Sequence, residues 1–382
     1  MTPDVAVVGG GIIGCSAAAL LAERGARVTL FETTAIGAGA SGRNLGVLQH
    51  PFDPVLAGLY HDSLDRYRGL AAGDAAFAVP DSPSGILLLE ADAARAQAQA
   101  ERLRAAHPEL DATFLDADAV AAAEPSLAPG FSACRLETGH PIPPASATAA
   151  WARRAERLGA ELRIGRAATP EVEGGAVRGV RLDDGEQVAA DVVLLAAGPW
   201  TPEIAGGDGT WQPIVRTWGV TVQVELGGAA PRHIVEQDEV DAVNRPARAA
   251  ERAAAAGEEV EPESLFSIAS AGGISTLGST FLPAEPDPTP IAALLIRRGV
   301  AYLPALADAP VVEVRRCARP QSIDGRPFIG RLPWTEGLLV CAGHGPWGIS
   351  TGPGSAALAV EALLSDDDTS IPAALRATRT IA

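Results

Sequence analysis

The N-terminal stretch DVAVVGGGIIGCSAAALLAERGARVTLFE, residues 4–32, limits most strongly what this chain can fold into. An apolar strand leads into a glycine-rich turn, and a helix predicted over residues 12–24 follows it. Gly25 ends the helix, and a second apolar strand ends at Glu32. Strand, helix and strand in this order form a βαβ unit, and the G-x-G-x-x-G spacing is typical of dinucleotide binding. The stretch therefore predicts an α/β fold that begins with a Rossmann-like unit.

The glycines and the acid of this unit have separate physical roles. Gly9 permits the tight turn, Gly11 lets a pyrophosphate approach the backbone, and Gly14 lets the helix press on the sheet. The helix N-terminus presents N–H groups and a positive dipole end to the phosphates. Glu32 stands where a carboxylate accepts hydrogen bonds from ribose hydroxyls and repels a 2′-phosphate. We therefore expect NAD or FAD rather than NADP.

The next segment, TTAIGAGASGRNLGVLQH at residues 33–50, is a loop of small residues. Ser41, Arg43 and Asn44 lie within it and offer side-chain donors, while its glycines expose backbone donors. Such a loop can lie along an extended dinucleotide and reach its second phosphate and the ring beyond. A flexible linker is the alternative, but an Arg-Asn pair between glycines is unusual in a linker.

Composition excludes several classes of function. The formal net charge of −17 argues against a nucleic-acid partner or an anionic membrane surface. All 30 Lys and Arg positions are Arg, so no lysine can form a Schiff base. The cysteines, Cys15, Cys134, Cys317 and Cys341, fit neither a disulfide framework nor a metal-binding spacing. With no leader pattern and no apolar run near the ~20 residues of a membrane span, we expect a cytoplasmic protein without a metal.

The rest of the chain alternates helical and strand-like stretches. Helices are predicted over 54–78, 92–106 and 144–160, and strands over 84–90, 162–164, 177–182 and 191–198. The last strand ends in two alanines and Gly198, where absent side chains would let a ligand lie across the strand end. Two longer strand-like runs at 214–226 and 264–282 predict an antiparallel sheet. The charged stretch at 245–263 between them is interpreted as an exposed excursion or a lid.

Near the C-terminus, VEVRRCARPQSIDGRPFIG at residues 312–330 places Cys317 and Arg319 two positions apart at the end of an apolar run. Alternate residues of a strand point to the same face, so in a strand these two side chains face one object. Their neighbours Arg315 and Arg316 are expected to be surface or sheet-edge charges. A thiol and a guanidinium side by side mark a candidate binding surface.

Five motifs occur in one order along the chain: the N-terminal fingerprint, the 37–50 loop, LLAAGPW at 194–200, RCARPQSIDGRPFIG at 316–330 and GLLVCAGHGPWGIS at 337–350. With them the chain resembles, over nearly its whole length, the D-amino acid oxidase, glycine oxidase and sarcosine oxidase family of FAD-dependent oxidoreductases. The resemblance implies a Rossmann-like FAD-binding domain assembled from the discontinuous segments 1–82, 143–212 and 305–382. It also implies an inserted, mainly antiparallel β substrate domain made of 83–142 and 213–304.

The resemblance also implies a reaction. Members of this family transfer a hydride from a carbon that bears nitrogen to flavin N5, leaving an imine that hydrolyses. In the D-amino acid and glycine oxidases, the Arg that matches Arg319 binds the substrate carboxylate. In sarcosine oxidases, a Cys that matches Cys317 carries the flavin covalently, so FAD is expected here either free or tethered. Trp347 stands where sarcosine oxidases have a carboxylate-binding Lys, which leaves Arg319 as the anchor and adds an aromatic wall.

The segment AGHGPWGIS at 342–350 is expected, on this resemblance, to pass close to the flavin. Gly343, Gly345 and Gly348 allow close backbone approach, and a helix predicted over 355–364 aims its N-terminus at the ring. His50 and His344 are the histidines expected to touch the substrate or the flavin.

Several alternatives stay open at this point. The expected partner is a small amine bearing a carboxylate, and the electron acceptor is oxygen, a quinone or another carrier; the oligomeric state is not predicted. GRNLGV at 42–47 also resembles a loop of 2-hydroxyglutarate oxidases, in which His50 or His344 would have to serve as the base. A non-catalytic FAD-binding subunit of an amine dehydrogenase complex is a further alternative.

Overall fold

The structure is a computed structural model that describes residues 3–238 and 263–381. The stretch at 245–263, interpreted from the sequence as an excursion or a lid, lies outside the described residues except for Glu263. The described strands are β1 (Asp4–Val8), β2 (Arg27–Glu32), β3 (Val47–Leu48), β4 (Ile86–Glu90), β5 (Thr113–Leu115), β6 (Ser132–Leu136), β7 (His140–Pro141), β8 (Glu161–Ile164), β9 (Ala168–Glu173), β10 (Ala176–Leu182), β11 (Gln187–Ala189), β12 (Val192–Leu195), β13 (Ile214–Val224), β14 (Ile234–Gln237), β15 (Ser264–Ala271), β16 (Ile274–Thr280), β17 (Val311–Ser322), β18 (Phe328–Arg331) and β19 (Leu338–Ala342). The described helices are α1 (Ile12–Glu23), α2 (Ala40–Arg43), α3 (Pro54–Ala72), α4 (Ala93–Ala106), α5 (Ala117–Ala123), α6 (Pro144–Arg157), α7 (Thr201–Ile204), α8 (Pro288–Gly299) and α9 (Gly348–Ser365).

A largely parallel sheet, which we call the cofactor sheet, holds the N-terminal unit. Its described strands lie in the order β18-β19-β12-β1-β2-β8, and all pairs are parallel except β18–β19. Its inner strands, VAVV, VVLL and LLVCA, are apolar without alternation because both of their faces are buried. Val7, Leu30 and Leu194 pack against α1, α6 and α9, while Leu195 and Val340 pack toward β10 on the other face.

A second sheet, which we call the substrate sheet, is mainly antiparallel. Among the described residues its order is β17-β13-β16-β15-β14-β4-β6-β5, with only the β14–β4 pair parallel. The predicted combination of a Rossmann-like domain and an inserted antiparallel sheet is confirmed. One boundary needs correction: β17 lies in the segment 305–382 that the sequence assigned to the cofactor domain, yet it pairs with β13 along its length. The Cys317–Arg319 stretch therefore belongs to the substrate sheet.

The helix α9 begins at Gly348, seven residues before the start predicted from the sequence. Pro353 therefore lies inside the helix, where a proline cannot donate to the carbonyl four residues earlier. That carbonyl belongs to Ile349, and the buried Tyr67 hydroxyl of α3 donates to it at 2.9 Å. The missing hydrogen bond is thus replaced by a side chain, and the helix continues through the proline.

In residues 3–238 and 263–381, no helix combines the length and the apolar character needed to cross a bilayer.

Candidate active site

A cavity of about 870 Å³ lies between the two sheets and reaches from the N-terminal glycine turn to the face of the substrate sheet. The β1–α1 turn and the end of β12 line one part, including Gly9, Gly11 and Gly198. The 33–49 loop and the 342–350 segment line the middle. Residues of β13 to β17 close the far end, and the lining is mostly apolar. A single long cavity of this kind suits an extended dinucleotide with a small molecule beside it.

In the N-terminal turn, glycines allow neighbouring parts of the backbone to pack closely. Gly9 has φ +117°, and a Cβ there would stand 2.4 Å from the Ala196 carbonyl oxygen at the end of β12. A Cβ at Gly14 would stand 1.9 Å from the Gly9 oxygen, so this glycine packs the helix onto the turn, as predicted, without lining the cavity itself. Larger residues at either position would push the helix N-terminus away from the cavity.

Glu32 and Ser41 form hydrogen bonds to backbone N–H groups at this end of the cavity. Glu32 accepts hydrogen bonds from the backbone N–H groups of Gly10 at 2.7 Å and Thr34 at 2.9 Å. Ser41 Oγ accepts from the Ile12 N–H at 2.8 Å, which leaves its own hydrogen to donate toward a ligand. Both side chains line the cavity, consistent with their predicted contacts to the nucleotide.

Asn44 differs from the prediction. Its Nδ2 donates to the carbonyl oxygens of Ala40 and Ser41, both at 3.0 Å, and its Oδ1 accepts from the Gly46 N–H at 2.8 Å. The amide therefore shapes the loop rather than offering its donors to a phosphate. Arg43 also lines the cavity, and its Nη1 donates to the carbonyl oxygen of Arg316 at 3.0 Å.

Arg315, expected from the sequence to be a surface charge, is instead buried at 5% exposure. Its guanidinium donates to the carbonyl oxygens of Gly42 at 3.3 Å and Asn44 at 3.1 Å. It also bonds the hydroxyls of Thr221 and Thr276. Arg315 thus ties the cavity loop to the substrate sheet, whereas Arg316 is exposed and pairs with Glu285, as expected for a surface charge.

Cys317 and Arg319 both line the cavity from β17, on the same face of the strand. Arg319 donates to the Thr280 carbonyl oxygen at 3.4 Å and lies 4.8 Å from the centre of the Phe281 ring. Gly219 of β13, which pairs with Cys317, leaves the necessary space, since a Cβ there would stand 2.8 Å from Arg319 Nη2. Burial raises the pKa of the Cys317 thiol, and the nearby guanidinium of Arg319 opposes that shift.

The 342–350 segment contributes His344, Trp347 and the glycines Gly343, Gly345 and Gly348 to the cavity lining. Complete burial lowers the pKa of His344 to about 3, so its ring is neutral near pH 7. Among the described residues, His344 Nε2 has no hydrogen-bond partner. The N-terminus of α9 lies at the cavity, since the helix starts at Gly348. The segment therefore offers a helix dipole and a neutral imidazole to a bound ring.

His50 does not line the cavity, contrary to the prediction. Its neighbour Gln49 does, and the His50 ring turns to the other side of the chain. There it packs against Tyr60 and His61, with ring centroids 5.3 Å away in each case. Burial lowers the pKa of His50. We therefore remove His50 from the residues expected to touch substrate or flavin.

Sequence reasoning missed several polar residues of the cavity wall, among them Glu236 on β14, Ser267 on β15 and Ser279 on β16. The strand-like runs that contain Ser267 and Ser279 were recognised, but the face to which each side chain points depends on the register between strands. The alternation of side chains along a strand does not by itself show which of them face the cavity.

Comparison with known proteins identifies the family. The sequence profile of the FAD dependent oxidoreductase family, DAO, matches residues 4–362. The chain belongs to this family. A glycine oxidase of Pseudomonas putida is 30% identical over 390 residues, which cover 95% of each chain.

Solved structures agree on the fold. A glycine oxidase from Bacillus cereus superimposes with a TM-score of 0.83 at 24% identity, covering 100% of both chains. An iminodiacetate oxidase from Chelativorans superimposes with a TM-score of 0.79 at 23% identity, covering 99% of this chain and 100% of the other. At these identities, the two structures bear on the fold alone.

The residues of the cavity fit the FAD that family membership assigns to this oxidoreductase. Gly9 and Gly11 form a cradle that side chains would fill, because a Cβ at Gly11 would stand 2.9 Å from Ser41 Oγ. Glu32 and Ser41 suit the ribose and a phosphate, and the 342–350 segment suits the flavin ring. The cavity between the two sheets is therefore where these residues would hold FAD.

Proposed function

We propose that this protein oxidises the carbon–nitrogen bond of a small amino acid or N-alkyl amino acid. The observation that carries the proposal is the position of Arg319 in the cavity wall, on the substrate sheet. A planar guanidinium binds a carboxylate through two parallel hydrogen bonds, which fixes the orientation of the molecule as well as its position. The named activity of the Pseudomonas putida relative, glycine oxidase, supports an amino acid as the substrate.

Each residue of the wall would have a defined task. Arg319 holds the substrate carboxylate, and Phe281 and Leu265 keep water from the reacting carbon by their apolar surface. Trp347 adds an aromatic wall. His344, neutral near pH 7, places no positive charge against the substrate. Bound FAD supplies the hydride acceptor, and the imine product hydrolyses to a carbonyl compound and an amine or ammonia.

Oxidation of a 2-hydroxy acid is disfavoured because it requires a base for the hydroxyl proton. Of the two histidines considered for that role, His50 lies away from the cavity. His344 lines it, but a base whose pKa is about 3 accepts a proton too weakly to activate an alcohol. An amine reacts in its neutral form and needs no such base.

The test is anaerobic bleaching of the protein's flavin absorbance by D- and L-amino acids, glycine, sarcosine, proline and 2-hydroxy acids. We expect bleaching by one or more of the amines and none by the hydroxy acids. Readmitting air then separates an oxidase, which regains its colour quickly, from a dehydrogenase that needs another acceptor. Bleaching by hydroxy acids alone would overturn the proposal, and a flavin that no panel member bleaches would favour a non-catalytic subunit.

A further inference from the structure

Gly219 stands in the middle of β13 and is buried in the cavity wall. The sheet order places β13 between β17 and β16, so this strand is internal. A glycine inside a strand lowers stability, because it packs no side chain and loses more backbone freedom on folding than any other residue. The φ angle of Gly219 lies outside the left-handed region that favours glycine. The backbone conformation alone therefore gives no reason for glycine at this position.

The Arg319 side chain occupies the space beside Gly219. Gly219 pairs with Cys317, two residues before Arg319 on β17, so a Cβ at position 219 would point to the same face of the sheet as both side chains. That Cβ would stand 2.8 Å from Nη2 and 3.4 Å from Cζ of Arg319. The guanidinium therefore lies across the backbone of β13, and on the far side it donates to the Thr280 carbonyl oxygen of β16 at 3.4 Å.

The path of this side chain runs between two threonines of β13. Thr217 and Thr221 are two residues before and after Gly219, so their side chains point to the same face of the sheet. Thr217 pairs directly with Arg319. Thr217, Gly219 and Thr221, which we call the glycine slot, thus leave a gap one residue wide across the strand. A side chain at position 219 would close the slot, and the guanidinium would then leave Thr280 and move into the cavity.

We propose that Gly219 is a positioning residue for the carboxylate anchor of this protein. The open glycine slot keeps Arg319 against the wall of the substrate sheet, and this sets the depth at which a carboxylate binds. Gly219 acts through the guanidinium and forms no bond to the substrate. The inference rests on the proposed function for the role of Arg319, and it extends that role to a residue on the neighbouring strand.

The first measurement compares Gly219→Ala with Gly228→Ala, both as FAD-loaded proteins. Gly228 is an exposed glycine beyond the end of β13, and a Cβ there would meet nothing within 4 Å. Binding of acetate and propionate, followed by saturation-transfer NMR, reports on the anchor without turnover. Gly219→Ala should raise both dissociation constants by roughly tenfold or more, because misplaced donors lose charge-assisted hydrogen bonds. Gly228→Ala should match the wild type, and a wild-type affinity in Gly219→Ala would overturn the inference.

Steady-state kinetics with an amine that reduces the wild-type flavin give a second readout. A displaced anchor weakens substrate binding in the ground state and the transition state alike. KM should therefore rise by a factor close to that of the acetate dissociation constant, and kcat should change by less than about threefold. A lower kcat at an unchanged KM would show that alanine disturbs the flavin rather than the anchor, and the inference would be wrong.

A double-mutant cycle with Arg319→Lys tests whether Gly219 acts through the guanidinium. Lysine keeps the charge, but its chain ends near the position of Cζ, 3.4 Å from the added Cβ, and it lacks the Nη2 that meets that Cβ at 2.8 Å. In the Arg319→Lys background, Gly219→Ala should therefore change the acetate dissociation constant by less than about threefold. Equal factors in the two backgrounds would show that alanine acts on the strand itself, which contradicts the positioning role.

The outcomes separate this inference from the proposed function. If no amine bleaches the wild-type flavin but the carboxylate titrations behave as expected, the proposed oxidation fails and the positioning role of Gly219 stands. If the wild type binds neither carboxylate, Arg319 is not an anchor and the inference is overturned. Should Gly219→Ala lose its flavin, its rescue by Arg319→Lys would support the steric conflict, and flavin loss in both proteins would place the defect in β13 and overturn the inference.

Discussion

At the scale of single residues, Arg319 donates to the Thr280 carbonyl, lies over the Phe281 ring and occupies the space that Gly219 leaves. These contacts hold a flexible side chain over the cavity before any substrate arrives. Ordering the side chain in advance lowers the entropy cost of binding a carboxylate. The loss of Arg319 should therefore affect substrate binding more than the fold.

Arg319→Ala should raise KM for a carboxylate-bearing amine by roughly 100-fold, the size expected for two lost charge-assisted hydrogen bonds. Flavin content should be unchanged. Arg316→Ala removes an exposed guanidinium from the same strand and serves as the matched control, with KM close to wild type. Steady-state kinetics and the flavin-to-protein absorbance ratio measure both quantities. An unchanged KM in Arg319→Ala would remove this residue from the substrate site.

Cys317 lines the cavity that would hold the flavin, and burial of its thiol disfavours the reactive thiolate. The thiolate is the reactive form, and burial raises the pKa of this thiol. We therefore expect acid-precipitated protein to be colourless and the yellow flavin to pass into the supernatant. Cys317→Ser should behave in the same way. Colour that stays in the wild-type pellet and leaves the Cys317→Ser pellet would establish a tether.

The sequence predicted these residues to different degrees. Gly9 and Arg319 line the cavity and Gly14 packs against the turn, and each belongs to a motif whose spacing restricts its position. Asn44 and His50 differ from the prediction, since a side chain in an irregular loop can turn to the ligand or away from it. The choice depends on contacts with parts of the chain far away in sequence.

At the scale of elements, Arg315 of β17 connects this strand to the loop of residues 33–49 that lines the cavity. This side chain bonds two loop carbonyls and two hydroxyls of the substrate sheet. These hydrogen bonds hold the loop of residues 33–49, which lines the cavity. Sequence analysis could not find this role, because alternation in a strand does not say whether an Arg points outward or under a loop.

Arg315→Met should weaken FAD binding by roughly tenfold or more, since the loop loses hydrogen bonds to a charged donor. Methionine keeps the length and apolar stem of the side chain, so the packing of β17 is largely preserved. Arg316→Met is the matched control on the same strand. Titration of apoprotein with FAD, followed by flavin fluorescence, gives both dissociation constants. Equal affinities in the two variants would show that the loop does not depend on Arg315.

The start of α9 depends on Tyr67 and Pro353. Tyr67→Phe leaves the buried Ile349 carbonyl without its donor and should cost about 1 to 3 kcal/mol of unfolding free energy. Pro353→Ala supplies a backbone N–H to the same carbonyl, so Tyr67→Phe should cost less in the Pro353→Ala background. Urea unfolding of the four proteins gives the coupling energy. Additive effects of the two substitutions would contradict the exchange of donors.

At the scale of the whole molecule, buried histidines make stability depend on pH. Burial lowers the pKa of His344 to about 3 and also lowers the pKa values of His50 and His140. Each stays neutral in the folded protein and gains a proton on unfolding below its ordinary pKa of about 6.5. The unfolded state therefore binds more protons, so the free energy of unfolding falls as pH is lowered.

Between pH 6.5 and 5, His344 alone should remove about 2 kcal/mol of unfolding free energy. His344→Asn should flatten this part of the profile, because asparagine does not titrate. Urea unfolding at several pH values with saturating FAD measures the slopes. A wild-type profile that is flat from pH 7 to 5 would contradict the neutral, buried state of these histidines.

The overall architecture was predictable because its motifs are spread along the chain, from the first strand to the 342–350 segment. The strand order of the substrate sheet was not predictable from the sequence. Strand order across the substrate sheet joins segments far apart in sequence, such as β4 and β14, and no local pattern encodes it.

The interleaving of the two sheets also bears on how the protein is made. In the cofactor sheet, Val193 of β12 pairs with Leu338 of β19, and in the substrate sheet, β13 pairs with β17 along its length. The substrate sheet cannot close until Ser322 of β17 has left the ribosome, and the cofactor sheet cannot close until Ala342 of β19 has, so the usual N-terminal-first order of domain folding does not apply. Such distant pairing also implies slow folding. During synthesis, the apolar strands β1 and β12 must therefore stay exposed on one side until β19 has emerged.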